Sequence, residues 1–196
     1  VENGANSAKI SAEIYEKNND RVKEVHPNRL NLFHPLGELN DIDIEKSWFL
    51  NGDAAKMSCG SMSEEPVADA GIKQAWANNA TGKDIKVAVV DFYGYDYNHP
   101  DMQNQMTDGW DCINNQPYNA QNFYFTNSSQ AHGMAVAGVI AAKANNGKGS
   151  AGVAYDSKVV PFLIDGSEVS VVLALQKAIS SEFNADIINC SFGSYF

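Results

Sequence analysis

From residue 84 onward, the apolar positions fall into two periodicities that take turns. "DIKVAVVD" (84–91) is a nearly continuous β-branched run, the pattern of a strand buried on both faces of a parallel sheet. "AHGMAVAGVIAAKA" (131–144) has the length of a helix, and its Gly and Ala side chains allow close approach to a neighbouring sheet. "SKVVPFLI" (157–164) predicts a second buried strand, although Pro161 argues against it. "DGSEVSVVLALQKAISSEF" (165–183) opens on Asp165, Gly166 and Ser167 as turn or cap material. It then predicts a helix with Val172, Leu175, Ala178, Ile179 and Phe183 along one face. "ADIINCS" (185–191) reads as a third buried strand. Strand, helix and strand in this order make right-handed parallel crossovers, so the expected fold is α/β, a parallel sheet flanked by helices.

The first 83 residues follow neither rhythm for long. "SAKISAEIYEKNND" predicts a short helix with Ile10 and Ile14 one turn apart, and "RVKEVHPNRLNL" a strand alternating through Val22 and Val25. Residues 33–76 read as loop, punctuated by Gly, Pro and Asp, with scattered aromatics that pin it to a surface. A boundary therefore falls near 34–42.

Composition narrows the class. The chain has 196 residues, enough for one core with a small appendage, and its 44% apolar content fits a globular protein. A net charge of −10 with no Lys/Arg cluster argues against nucleic acid or an anionic membrane as partner. Three cysteines, Cys59, Cys112 and Cys190, are too few for a disulfide scaffold and leave at least one unpaired within the chain. No apolar run approaches membrane-spanning length, and the sequence opens on Val1 without a methionine or signal-like segment, so a leader is expected to have been removed or the start trimmed.

In parallel sheets chemistry gathers at the carboxyl ends of strands. Asp91 ends the first strand; Ser191 and Gly193 follow the last. His132 heads the Ala-rich helix, and histidine is the side chain best suited to accept a proton near neutral pH. Each has a plain reading, Asp91 as a cap or turn residue and His132 as the start of a buried helix. Together they have a sharper one, because a carboxylate that receives an imidazole's Nδ1–H leaves Nε2 open as a general base. Asp before His is one of the chain orders found in serine-hydrolase triads.

Four blocks, "VAVVD…NHPDM", "AHGMAVAGVIAA", "NNGKGSAGVA" and "DIINCSFG", follow one another in the order and spacing of the subtilisin-like (S8) serine peptidases. The chain resembles the N-terminal portion of that family over about residues 40–196, with "KSWFL" and "ADAGIKQAW" similar to the approach to its catalytic core. Residues 1–36 resemble part of the family's inhibitory propeptide, which implies a zymogen-like arrangement of a propeptide-like segment at 1–36 and a catalytic-domain portion at 37–196. The resemblance implies a serine endopeptidase, secreted or periplasmic, acting on peptides or proteins. It makes Asp91 the orienting carboxylate, His132 the general base, and Ser191, Phe192 and Gly193 the segment that pairs with substrate. It also implies a structural Ca²⁺ held by Asp101, Asn146 and the carbonyls of Ala144, Lys148 and Ser150, oxygen ligands suited to a hard cation. As a bare sequence, "ANNGKGS" is equally a Gly/Asn turn.

The chain also departs from the family. Asp91 is followed by Phe92, Tyr93 and Gly94 where the family has Asp-Thr-Gly, and His132 by Gly133, Met134 and Ala135 where it has His-Gly-Thr-His. These substitutions are expected to pack behind the pair. No "G-T-S-M-A" nucleophile block and no later "G-N" oxyanion block occurs, and "GKGSAG" places Lys148 where a nucleophile elbow needs glycine. The nucleophilic serine is thus expected outside this chain, on the C-terminal half of the same domain. The alternatives are a catalytically inactive pseudo-peptidase that binds peptides or a partner protein, and a calcium-stabilised α/β module of unrelated function.

Overall fold

A computed structural model describes residues 39–47, 49–50, 70–118 and 131–193. The segment at 1–36, expected to be propeptide-like, lies outside the described residues, as do Cys59 and most of the expected loop at 33–76. The 39–50 segment carries a 3₁₀ turn at Ile44–Lys46. A short helix α1 (Ile72–Ala77) buries Ile72 and Trp76, and Trp76 Nε1 donates to the Val153 carbonyl at 2.8 Å.

The sheet has five strands: β1 (Lys86–Asp91), β2 (Trp110–Asp111), β3 (Gln116–Pro117), β4 (Lys158–Leu163) and β5 (Ile187–Cys190), in the order β3-β2-β4-β1-β5. β1 pairs in parallel with β4 on one side and β5 on the other, and β4 with β2. The β2–β3 pair is antiparallel, so the sheet is mixed rather than purely parallel. Helices α2 (His132–Ala141) and α3 (Glu168–Ala178) complete the layers.

Strand periodicity assigns the two faces. Val87, Val89 and Val159 cluster with Met134, Ala137 and Ala141 of α2. Ala88, Val90, Val160, Phe162 and Ile164 cluster with Ala174 and Ala178 of α3. Alternate β1 residues therefore point to opposite helices, and Asp91 falls in the odd series, on the α2 face. On α2 the small residues Gly133, Ala137 and Ala141, four apart, are all buried and form the stripe that lies on the sheet.

Two expectations change, and a third holds against a local signal. The sheet-facing stripe of α3 is Ser170, Ala174 and Ala178, whereas Val172 and Ile179 are 50% and 70% exposed. Small residues let this helix lie close to β4 and β1, and the larger β-branched side chains point outward. Phe183, beyond the helix, is buried as expected. β5 is half-exposed rather than buried, because among the described strands it has a neighbour on one side only. Finally, Pro161 sits inside β4 with a strand on either side. In this ladder Val159 N–H donates to Gln105 O and Thr107 N–H donates to Val159 O. The next donor, Pro161, has no N–H. The carbonyl it would have met, that of Thr107, accepts instead from the Tyr97 hydroxyl at 2.7 Å. Opposite Pro161 stands Gly109, whose missing Cβ would collide with the Pro161 carbonyl.

Candidate active site

Asp91 and His132 meet because β1 ends and α2 begins at the same edge of the core. Asp91 is fully buried, a costly position for a carboxylate unless it is hydrogen-bonded. Its Oδ1 accepts the Phe92 N–H at 2.7 Å, and His132 Nδ1 lies 2.9 Å from Oδ1 and 3.0 Å from Oδ2. The carboxylate thereby holds the ring from the Nδ1 side. The His132 side chain is 50% exposed, and Nε2 makes no hydrogen bond among the described residues.

Close packing fixes this geometry. Gly133, next to the histidine, allows α2 to begin against β1: a Cβ there would lie 3.0 Å from Asp91 Cβ and 3.3 Å from Tyr95 Cε1. Tyr95 is fully buried beneath the pair and donates its hydroxyl to the Val89 carbonyl at 2.7 Å. Burial, then the nearby Asp91 charge, push the Tyr95 phenol well above its ordinary value, so it remains a donor. The sequence carried no signal for Tyr95 or for Tyr97, whose hydroxyls donate to backbone carbonyls six and ten residues away in no regular pattern.

The substitutions after Asp91 and His132 do not share one environment. Met134 is buried in the α2-side cluster, while Ala135 is exposed. Phe92 packs with the α3-side cluster, 5.8 Å from Phe192 in an edge-to-face arrangement. Ser191, Phe192 and Gly193 leave the end of β5, with Ser191 and Gly193 exposed. The Ser191 hydroxyl donates to Asn189 Oδ1 at 2.8 Å. Cys190 precedes them; burial and the Asp91 charge raise its thiol above the ordinary value.

The residues expected around a cation come together, Asp101 from one segment bonding to the 144–150 loop. Asp101 Oδ1 accepts Asn146 Nδ2–H at 2.9 Å, and Oδ2 accepts the Ser150 N–H at 3.0 Å. Asn146 Oδ1 accepts the Lys148 N–H at 2.8 Å. The carbonyls of Ala144, Lys148 and Ser150 accept no hydrogen bond among the described residues. A further residue, which sequence reasoning missed, closes the loop from the other side. Asp41 accepts the N–H groups of Asn145 and Asn146 at 2.9 and 3.0 Å, and Asn40 Oδ1 accepts that of Gly147 at 2.9 Å. All these side-chain acceptors are oxygens, a donor set that fits a hard cation. No group of three or more His, Cys, Asp or Glu gathers among the described residues, so backbone carbonyls would supply much of any coordination.

Two faces beside the site are open. α2 presents Met134, Ala135 and Gly138 along a cleft of about 390 Å³ that His99, Asp101 and Met102 also line. β5 exposes Ile187 at the sheet edge. Among the described residues no helix is long and apolar enough to cross a membrane.

Comparison with known proteins bears on this arrangement. The model of the subtilase family of S8 peptidases matches residues 82–195. Neuroendocrine convertase 2 of Bos taurus is 31% identical over 172 residues, covering 80% of this chain and 25% of that protein. Furin of Rattus norvegicus is 31% identical over 139 residues, covering 70% of this chain and 16% of that protein. Among solved structures, a protease of Pseudoalteromonas arctica superposes with a TM-score of 0.57 at 26% identity, over 80% of this chain and 51% of that one. The serine protease of Aeromonas sobria, at 22% identity, shares the fold with a TM-score of 0.59 over 80% of this chain and 26% of its own. The chain spans about a quarter or less of the length of these curated relatives. With the family model matched over more than half of its length, on a sheet flanked by helices like those of its structural neighbours, the chain belongs to the subtilase family.

Proposed function

We propose that this chain carries two members of the catalytic triad of a serine endopeptidase, Asp91 and His132, and that the nucleophilic serine comes from the rest of the same protein. The observation that carries the proposal is the 2.9 Å contact between His132 Nδ1 and a fully buried Asp91, with Nε2 left unbonded on a half-exposed ring. The serine oxygen attacks the peptide carbonyl carbon as Nε2 takes its proton. The same proton then passes to the leaving amine as the C–N bond breaks, and water enters by the reverse route to release the acyl group. Asp91 keeps the Nδ1–H tautomer and stabilises the imidazolium that forms in between. Ser191 is not the nucleophile in this reading, since its hydroxyl is engaged with Asn189. Ser191, Phe192 and Gly193 instead offer an exposed strand end on which a peptide adds as a further strand.

The open α2 cleft and the β5 edge receive the remainder of the catalytic domain, residues 1–36 act as a propeptide-like segment of a zymogen, and the protein works in a secreted or periplasmic setting. Ca²⁺ bound by Asp101, Asn146 and the carbonyls of Ala144, Lys148 and Ser150, with Asp41 beside them, ties the 144–150 loop down; chelation then lowers the melting temperature, and Asp101→Ala removes the response to added Ca²⁺.

The deciding experiment treats the complete protein with a fluorophosphonate probe. Labelling of one serine outside residues 1–196, abolished in His132→Ala, is the expected result. Undiminished labelling of His132→Ala would remove His132 as the base. No labelling with retained peptide binding would favour a binding module without chemistry, the reading that the residues after Asp91 and His132 suggest.

A further inference from the structure

The turn that follows Asp91 is bent against the preference of its own residues. Tyr93 and Gly94 both lie in the left-handed region, with φ of 68° and 85°. Glycine adopts that conformation freely, but a tyrosine there is strained and persists only where its surroundings hold it. The strain sits beside the Asp91–His132 pair. Phe92, one residue earlier, donates its N–H to Asp91 Oδ1 at 2.7 Å, and the same oxygen makes the 2.9 Å contact with His132 Nδ1. The first turn of α2 rests on this segment too: a Cβ at Gly133 would press on Asp91 Cβ, the Phe92 carbonyl and the Tyr95 ring. Residues 91–95 thus carry the acid and form the seat of the helix that carries the histidine.

Two phenols hold this turn. Tyr95, fully buried, reaches back with its hydroxyl to the Val89 carbonyl at 2.7 Å and pins the far end of the turn to β1. Tyr118, which follows β3, holds the backbone of Tyr95 on both sides. Its hydroxyl oxygen accepts the Tyr95 N–H at 2.7 Å, and its O–H donates to the Tyr95 carbonyl at 3.1 Å. One side chain thereby satisfies both backbone groups of one residue, as a neighbouring strand would. Tyr118 is itself anchored by its N–H on the Gly109 carbonyl at 3.0 Å, by an edge-to-face contact with Tyr95 at 5.9 Å and by the stacked Tyr97 ring at 6.0 Å. Burial pushes the Tyr118 phenol above its ordinary value, so it remains a donor at neutral pH. The geometry points to Tyr118 as a positioning residue: from the β2–β3 hairpin it holds the strained turn at 92–95, and through that turn the Asp91–His132 contact. The inference rests on the peptidase reading for its effect on cleavage, but not for its effect on the geometry of the pair.

The test compares two hydroxyl deletions in the complete protein. Tyr118→Phe keeps the stacked ring and removes both bonds to Tyr95. Tyr97→Phe keeps the same stack and removes only the bond to the Thr107 carbonyl. Both variants unfold at lower urea concentration than the wild type. Only Tyr118→Phe lowers kcat, by about tenfold with KM within about twofold, as expected of a base displaced by less than 1 Å. In the Tyr93→Gly background, where positive φ carries no strain, the same substitution lowers kcat by less than about threefold. A second readout needs no cleavage: the far-downfield proton NMR resonance of His132 Nδ1–H, the mark of its charge-assisted bond to Asp91, persists in Tyr97→Phe and is lost or broadened in Tyr118→Phe. The inference is overturned if Tyr97→Phe lowers kcat as much as Tyr118→Phe, if neither lowers it, if the loss falls on KM, or if Tyr93→Gly leaves the loss undiminished. Cleavage at the wild-type rate with an unchanged resonance in Tyr118→Phe sinks the inference and leaves the peptidase reading standing. A resonance lost in Tyr118→Phe, in a protein that cleaves no peptide, does the reverse.

Discussion

Gly133→Ala turns the packing of α2 on β1 into a measurable quantity. The new Cβ would stand 3.0 Å from Asp91 Cβ, 3.2 Å from the Phe92 carbonyl oxygen and 3.3 Å from Tyr95 Cε1. None of these neighbours is a flexible side-chain end. Asp91 and Tyr95 are fully buried, and the third is backbone. Carbon–carbon contacts become comfortable near 3.5 Å, so the start of α2 must back away by about half an ångström. Overpacking of this kind costs about 1–3 kcal/mol. Exchanging Gly for Ala in a helix returns about 0.4–1 kcal/mol through propensity and the stiffer unfolded chain. The net expectation is a loss of between about zero and about 2.6 kcal/mol. Gly138→Ala, in the same helix, meets nothing within 4 Å and keeps the whole propensity gain, about 0.4–1 kcal/mol of added stability. Urea unfolding followed by circular dichroism measures both. In the complete protein Gly133→Ala also lengthens the 2.9 Å contact of His132 Nδ1 with Asp91, and a displacement of this size is expected to lower kcat by about tenfold. The reasoning fails if Gly133→Ala unfolds at the same urea concentration as Gly138→Ala or at a higher one.

Three further outcomes are expected. Tyr97→Phe leaves the Thr107 carbonyl without its donor and costs about 1–3 kcal/mol by urea unfolding; Pro161→Ala, which restores an N–H opposite that carbonyl, costs less in the Tyr97→Phe background than in the wild type. The hydrogen bonds from Ser167 and Ser170 lower Asp165 to about 2 from an ordinary 3.8, so its stabilising effect is present above the ordinary value and lost as pH falls through about 2. Carboxyl carbon NMR of Ser170→Ala should find the Asp165 titration moved upward, and an unchanged midpoint would discount the Ser170 bond. Burial and the Asp111 charge push Cys112 up to about 12, so thiol alkylation at pH 8 with peptide mapping marks exposed Cys190 long before Cys112.

What the sequence made legible follows from what local pattern encodes. The β-branched run at 86–91 fixes a buried strand, and strand alternation then carries Asp91 to the face on which Val87 and Val89 meet α2. A carboxylate in that register, with a Gly- and Ala-rich helix headed by histidine to cover it, has little room to point elsewhere. The failures share the opposite cause: their determinants lie far apart in the chain. A β-branched stripe on α3 looks like a buried face until the sheet's need for close approach selects Ser170, Ala174 and Ala178 instead. The strand expected at 157–164, by contrast, does form in spite of Pro161, because Tyr97, from another loop, supplies the missing donor to Thr107. Asp41 offers no motif in "LNDIDIE", since its role is to accept the N–H groups of Asn145 and Asn146 about a hundred residues later. The same division holds at the end of β1. Phe92 stands next to Asp91 in sequence and was expected to pack behind it, yet strand alternation sends successive side chains to opposite faces. The aromatic that follows the buried acid is thus turned toward Phe192 and Ile164 on the α3 side. One position thereby separates the acid that meets His132 from an aromatic packed on the other side of the sheet.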